Sequence, residues 1–93
     1  MLIQHKKTGS RGMFFVEEDG EIEAEMIYFM PAANEMIIER TVIDADLRGQ
    51  DIGYALVHKA VDYARTHGIV IRPVDPFAKS VFDKKPDFRD VVV

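Results

Sequence analysis

The sequence predicts a single α/β domain, a mixed and mainly antiparallel sheet flanked by helices in the order β-β-β-α-β-α. Three observations carry this. Apolar residues alternate with period two through much of the first half, a helical period takes over near residue 51, and a short apolar run followed by a second helical stretch closes the chain. A length of 93 residues allows one domain, spanning 1–93. The apolar fraction of 47% excludes a disordered tail, whose sparse apolar residues could not offset the entropy of ordering.

The elements follow in order. A short strand is possible at Leu2–His5. Met13 to Glu17 reads as a strand, and Asp19-Gly20 suits a type I′ hairpin turn into the alternating run Glu21 to Met26. Closing the hairpin there places Phe15 beside Ala24 and Met13 beside Met26 on the core face, with Phe14 and Val16 on the other. Ile27 to Met30 is apolar on both faces, which predicts cover on both sides. Pro31 to Asn34 reads as a loop and Glu35 to Ile43 as the next antiparallel strand. Ile52, Leu56, Ala60, Tyr63 and Ala64 recur at helical spacing, so a helix is expected over 51–67, ended by Gly68. Ile69 to Arg72 is a short strand, Phe77 to Lys84 a second helix stopped before Pro86, and Val91 to Val93 a terminal strand or a fraying end.

Composition narrows the function. The net charge is −4, so the chain lacks the Lys/Arg surplus that phosphate neutralisation on nucleic acid requires. It tolerates cationic substrates such as amines. With no cysteine there is no disulfide, thiolate metal site or Cys nucleophile. No apolar run approaches the roughly 20 residues that span a bilayer, and Met1 to Lys7 lacks a signal-peptide core, so a cytoplasmic location and no membrane partner are expected. His58 and His67 face opposite sides of the helix, and no metal is expected. His58 and Asp62 read as a local surface pair.

The stretch richest in chemistry is Asp46-Leu47-Arg48-Gly49-Gln50-Asp51-Ile52-Gly53-Tyr54. A strand ends, a glycine-bearing turn follows and a helix starts. The first amides of a helix lack internal partners and carry the positive end of the dipole, and Arg48 adds a cation that can pair with phosphate. Asp51 also reads as a helix cap. The bland alternative is a tight turn with close packing.

The chain resembles the minimal N-acetyltransferase-like branch of the GNAT superfamily. The loop Arg48 to Gly53 is similar to that family's Arg/Gln-x-x-Gly-x-Gly/Ala pyrophosphate loop. Tyr63 to Ile69, Val74-Asp75-Pro76-Phe77-Ala78 and Lys85 to Val91 resemble its helix end, pocket-lining turn and C-terminal signature. The resemblance implies a splayed mixed sheet, coenzyme A or acetyl-CoA as co-substrate, and acetyl transfer to a primary amine on a small molecule or protein. It implies cofactor contacts from Thr41, Val42 and Ile43, from Arg48, Gly49, Gln50, Asp51, Ile52, Gly53 and Tyr54, and from Phe77. Asp51 stands where the family loop has glycine, Arg40 where close relatives often have histidine, and Asp75 where many members have a cysteine associated with transfer. Without cysteine the implied route is direct transfer, with Asp75 as the catalytic base. A non-catalytic coenzyme A or acyl-CoA binding module is the alternative reading, and an interaction protein keeping only the fold is a third. Oligomeric state is not legible. Glu39 and Tyr28 read as strand residues before catalytic ones, and Lys84-Lys85 as solvated lysines ending a helix, with contact to a coenzyme A phosphate as the alternative.

Overall fold

The computed structural model describes residues 2–49 and 51–93. Strands β1 (Gln4–Thr8), β2 (Arg11–Glu18), β3 (Glu21–Ala32) and β4 (Glu35–Ile43) precede helix α1 (Ile52–His67), strand β5 (Val70–Pro73) and helix α2 (Pro76–Lys84). The strands lie in the order β1-β2-β3-β4-β5, antiparallel except for the parallel pair β4–β5. This is the predicted mixed α/β architecture, with the N-terminal strand falling at Gln4–Thr8, two residues later than expected. Pairing of β3 and β4 reaches Ala32 and Glu35, so the expected loop at Pro31 to Asn34 is strand in its first half and a tight turn at Ala33-Asn34.

The first hairpin differs from expectation in which face it buries. Asp19 and Gly20 both have positive φ, 51° and 82°, as a type I′ turn requires. Beyond the turn the register shifts between Val16 and Glu17, so that Val16 pairs with Ala24 and Phe14 with Met26. This bulge leaves Glu23 as an extra residue, and a one-residue slip exchanges the two faces of a strand. Phe14, Val16, Ala24 and Met26 are therefore the core residues, and Met13 and Phe15 lie opposite.

Helix α1 packs its apolar stripe on the core face. Leu56, Val57, Ala60, Val61 and Ala64 are fully buried, against strand residues that include Met26, Met36, Ile38 and Ile71. Each fully buried large aliphatic contributes about 1.5–3 kcal/mol relative to exposure, so this seam dominates stability. Gly68 ends the helix in the left-handed region at φ 65°, its N–H donating to the Ala64 carbonyl. On the opposite face the half-buried Ile27, Phe29 and Ile37 are shielded in part by a long side chain: Arg11 lies 5.2 Å from the Phe29 ring centre and pairs with Glu39 at 2.7 Å. The expected apolar residues are there, but part of their cover is a guanidinium stem.

The C-terminal tail returns to the sheet, with Ile71 N–H donating to Val91 and Val93 N–H donating to Ile71. A ring cluster closes the other flank. His5 stacks on Phe14 at 4.2 Å, meets Tyr63 edge-on at 4.6 Å, and lies 2.6 Å from the hydroxyl of the fully buried Tyr28. Burial, and secondarily Tyr63, pushes the Tyr28 phenol up to about 12, so it stays protonated in its hydrogen bond with His5 Nε2. Burial first, then the nearby His67 and Lys7, holds the His5 pKa below its ordinary value. A histidine whose pKa is lower in the folded than in the unfolded chain leaves stability intact above the unfolded value and erodes it as pH falls through that value, ~6.5, towards the folded one. Melting temperature should therefore drop between about pH 7.5 and pH 5, and less so in His5→Gln, as thermal denaturation of both proteins would read. Equal pH slopes would remove His5 as the cause.

Candidate functional site

The site begins where β4 and β5 part. They pair only over Glu35–Ile38 and Val70–Pro73. Past that point the Ile38 carbonyl accepts from both Val74 and Asp75 amides, each at 3.0 Å. On its other edge β4 carries a bulge at Glu39, because Ile38 pairs with Tyr28 and Arg40 with Ile27. The last residues of β4 follow β3, while the chain after β5 turns into α2, and a wedge opens between them. Strand alternation points the Arg40 and Val42 amides at β3, and Asp44 N–H continues that ladder to Glu23 at 2.8 Å. The Thr41 and Ile43 backbone thus faces the wedge.

Asp75 ties the two walls together. One carboxylate oxygen accepts from Ala78 N–H at 2.8 Å and caps α2; the other accepts from Thr41 N–H at 3.2 Å. Its side chain is buried, and it lies behind the wedge and not on its lining. Thr41 does reach the lining. Its hydroxyl oxygen is buried without a hydrogen-bond partner among the described residues. Such a group costs free energy until something donates to it or accepts from it.

From Ile43 the chain makes a short 3-10 turn at Ala45–Leu47, anchored by the buried Leu47, and enters the loop before α1. Gly49 has φ 90° and Asp51 φ 57°. Asp51 sits at the cap position of α1 but makes no capping hydrogen bond through its side chain, contrary to the capping expectation. A left-handed backbone turns a side chain away from the geometry a cap needs, and the same φ is why a glycine suits this place.

The wedge is a cleft of about 690 Å³. Strand β4 supplies Thr41 and Ile43, the loop Arg48, Gly49 and Asp51, helix α1 Gly53 and Tyr54, and helix α2 Phe77. These eight of the expected cofactor residues come together. Val42 points to the other face with 38% exposure, and Ile52 is buried in the core. Gln50 lies outside the described residues. Leu47, Ser80 and Val81 also line the cleft and were missed as binding residues, and Lys84 and Lys85, read first as solvated, line it too. The signal for the lysines was the helical reach of α2 along one wall, which sequence spacing alone does not orient. Glu39 is held by Arg11 on the open sheet face, and Tyr28 by His5 in the ring cluster. Among the described residues no three His, Cys, Asp or Glu side chains converge as a metal site would need.

A cleft of this size, with a strand edge along one wall and a helix start with a cation at its end, fits an elongated molecule with an anionic terminus. The comparisons agree. Residues 13–91 match the family model described as GCN5-related N-acetyl-transferase, and the chain belongs to that family. It is similar to the solution NMR structure of a GCN5-like protein from Staphylococcus aureus, with TM-score 0.73 and 27% identity over 97% of this chain and 87% of that one. The fold also matches the ribosomal-protein-S18-alanine N-acetyltransferase from Escherichia coli, with TM-score 0.66 and 18% identity over 84% of this chain and 53% of that one. A third match is the ribosomal-protein-alanine N-acetyltransferase from Brucella melitensis biovar Abortus 2308, with TM-score 0.62 and 16% identity over 81% and 62%. The chain thus spans little more than half the length of the two ribosomal-protein enzymes. No curated protein matches it by sequence.

Gly53 shows what its position demands. A Cβ there would lie 2.5 Å from Phe77 Cε2 and 2.9 Å from Ile43 Cδ1. Its absence lets the Phe77 ring close over the first turn of α1. Gly53→Ala should destabilise the protein by about 1–3 kcal/mol through overpacking, and by less in a Phe77→Ala background. A denaturant double-mutant cycle checks this; an additive pair would mean that the ring moves aside freely.

Proposed function

We propose that this protein transfers the acetyl group of acetyl-CoA directly to a primary amine. The carrying observation is the wedge between β4 and α2, lined by Thr41 and Ile43 of a strand edge that no further strand covers, with its end at Arg48, Gly49 and the start of α1. The co-substrate supplies an activated acyl group. The chain's own part is to hold that molecule extended. Thr41 and Ile43 would align it by main-chain hydrogen bonds, Phe77 and Gly53 would enclose its middle, and Arg48 with the first amides of α1 would take the pyrophosphate. Ile52 would add a backbone amide at the start of α1. The acceptor is an amine on a small molecule or a protein. The two larger relatives are named for ribosomal-protein alanine, and a net charge of −4 favours a cationic acceptor. Among the described residues no helix is long and apolar enough to cross a membrane, and a cytoplasmic site of action fits a cysteine-free chain.

Deprotonating the amine needs a base, and Asp75 is the carboxylate at the inner end of the wedge. Each of its oxygens already accepts one amide, from Thr41 and from Ala78, and keeps a second lone pair for a proton. The same two bonds favour the second reading, a coenzyme A or acyl-CoA binding module in which Asp75 is purely architectural. Thioester turnover with a panel of amines separates the two. Under the first reading Asp75→Asn lowers transfer by about 10²-fold or more while coenzyme A affinity holds. Unchanged turnover would assign Asp75 to capping α2 alone.

Asp51 offers an independent check on the cofactor. A carboxylate about 4 Å from a phosphate charge is repelled by ~1 kcal/mol in water and ~4 kcal/mol at an effective dielectric near 20. Asp51→Gly should therefore bind coenzyme A about tenfold more tightly. With no side-chain cap to lose and a left-handed φ to relieve, the variant should also melt no lower than the parent. Calorimetry and thermal melting at fixed salt read both effects, and weaker binding would place the anion elsewhere.

A further inference from the structure

Charge is sorted unevenly over this molecule. The chain is acidic overall, yet the cleft lining carries Arg48, Lys84 and Lys85 against one carboxylate, Asp51. None of these three cations takes part in the ion pairs found among the described residues, which join Arg11 to Glu39, His58 to Asp62, Arg65 to Asp90 and Arg72 to Glu35. They stand on opposite walls, Arg48 in the loop before α1 and the lysines where α2 ends.

The lysines occupy a place where backbone electrostatics runs against an anion. The last carbonyls of α2 point out of its C-terminus and present partial negative charge. A solvated pair of lysines would satisfy those carbonyls and need no fixed position. Lys85 is fixed. It is half-buried, and its Nζ lies 4.6 Å from the centre of the Tyr54 ring. Tyr54 belongs to the first turn of α1 and stacks on the buried Phe88 at 5.8 Å. The ammonium group thereby lies over the first turn of α1, and it lines the same cleft as Arg48. From Phe77 to Lys84 the helix advances about 10 Å, so the lysines lie well beyond the acyl end of the wedge.

We propose that Lys84 and Lys85 form a second phosphate subsite, which takes the ribose 3′-phosphate at the nucleotide end of coenzyme A, separate from the pyrophosphate held by Arg48 and the start of α1. This rests on the coenzyme A reading of the cleft and names the group by which the cleft selects that ligand. Dephospho-coenzyme A differs from coenzyme A only in lacking this phosphate, so the pair isolates the subsite.

The test is isothermal titration of the full chain with coenzyme A and with dephospho-coenzyme A, at low and at moderate salt. The parent protein should bind coenzyme A about tenfold or more tightly than the dephospho form, and the gap should narrow as salt rises. In Lys84→Gln/Lys85→Gln the two affinities should converge through loss of coenzyme A binding alone. Arg48→Gln should weaken both ligands by the same factor. Equal affinity of the parent for the two ligands overturns the subsite while leaving the coenzyme A reading standing, as does a double variant that loses both ligands equally. A parent that binds neither ligand overturns the cofactor reading and the subsite with it. The comparison of ligands on the unaltered chain does not depend on how well any variant folds.

Discussion

The structure depends on how short the parallel pairing of β4 and β5 is. Pro73 brings no N–H to a ladder, and the Ile38 carbonyl takes two amides at once as the chain leaves β5. Across β4, the bulge at Glu39 turns the strand's remaining residues along β3. Two neighbouring strands that would otherwise zip together are thus held apart at one end. Everything proposed for the cleft uses what this divergence leaves over: an unpaired strand edge, a helix start at its foot, and a second helix folded back along its side.

Asp75 shows how tightly scaffold and site are joined. The carboxylate is at once the cap of α2 and the acceptor for the β4 edge, so one side chain sets both the width of the wedge and the direction of the helix that forms its wall. The mass of the stability lies elsewhere, in the seam between α1 and the sheet, where fully buried aliphatics meet. That division leaves the cleft free to hold features a packed core would not tolerate, such as the orphaned Thr41 hydroxyl and an aspartate in the left-handed region. The shared fold spans 53% and 62% of the length of the two ribosomal-protein enzymes.

What sequence made legible was whatever local chemistry decides. The helix over Ile52–His67 and its stop at Gly68 follow from period and from a glycine in the left-handed region, and the turn at Asp19-Gly20 from a residue pair that accepts positive φ. The loop resemblance located the cleft, since Arg48 to Tyr54 carries its own turn chemistry. Register was not legible. The bulge after Val16 leaves Glu23 as an extra residue that no local signal marks, and it exchanged Phe15 for Phe14 as the core ring. Asp51 looked like a cap because its residue type and position are right, and only the backbone angle shows that its side chain makes no such bond. The lysines at the end of α2 read as solvated because nothing in their neighbours specifies that Tyr54, thirty-one residues away, will sit beneath one of them.

The returning tail has one further effect, on solubility. An open sheet has two edges whose unpaired backbone invites other chains to add strands, and natural proteins blunt such edges with lysines or cover them with another segment. Both devices are present. Strand β1 carries Lys6 and Lys7 along its length, and Val91 to Val93 lie against β5 through the two hydrogen bonds at Ile71. The last three valines, apolar and β-prone, would themselves be an aggregation hazard if they hung free. Docked on β5 they become the cover of that edge.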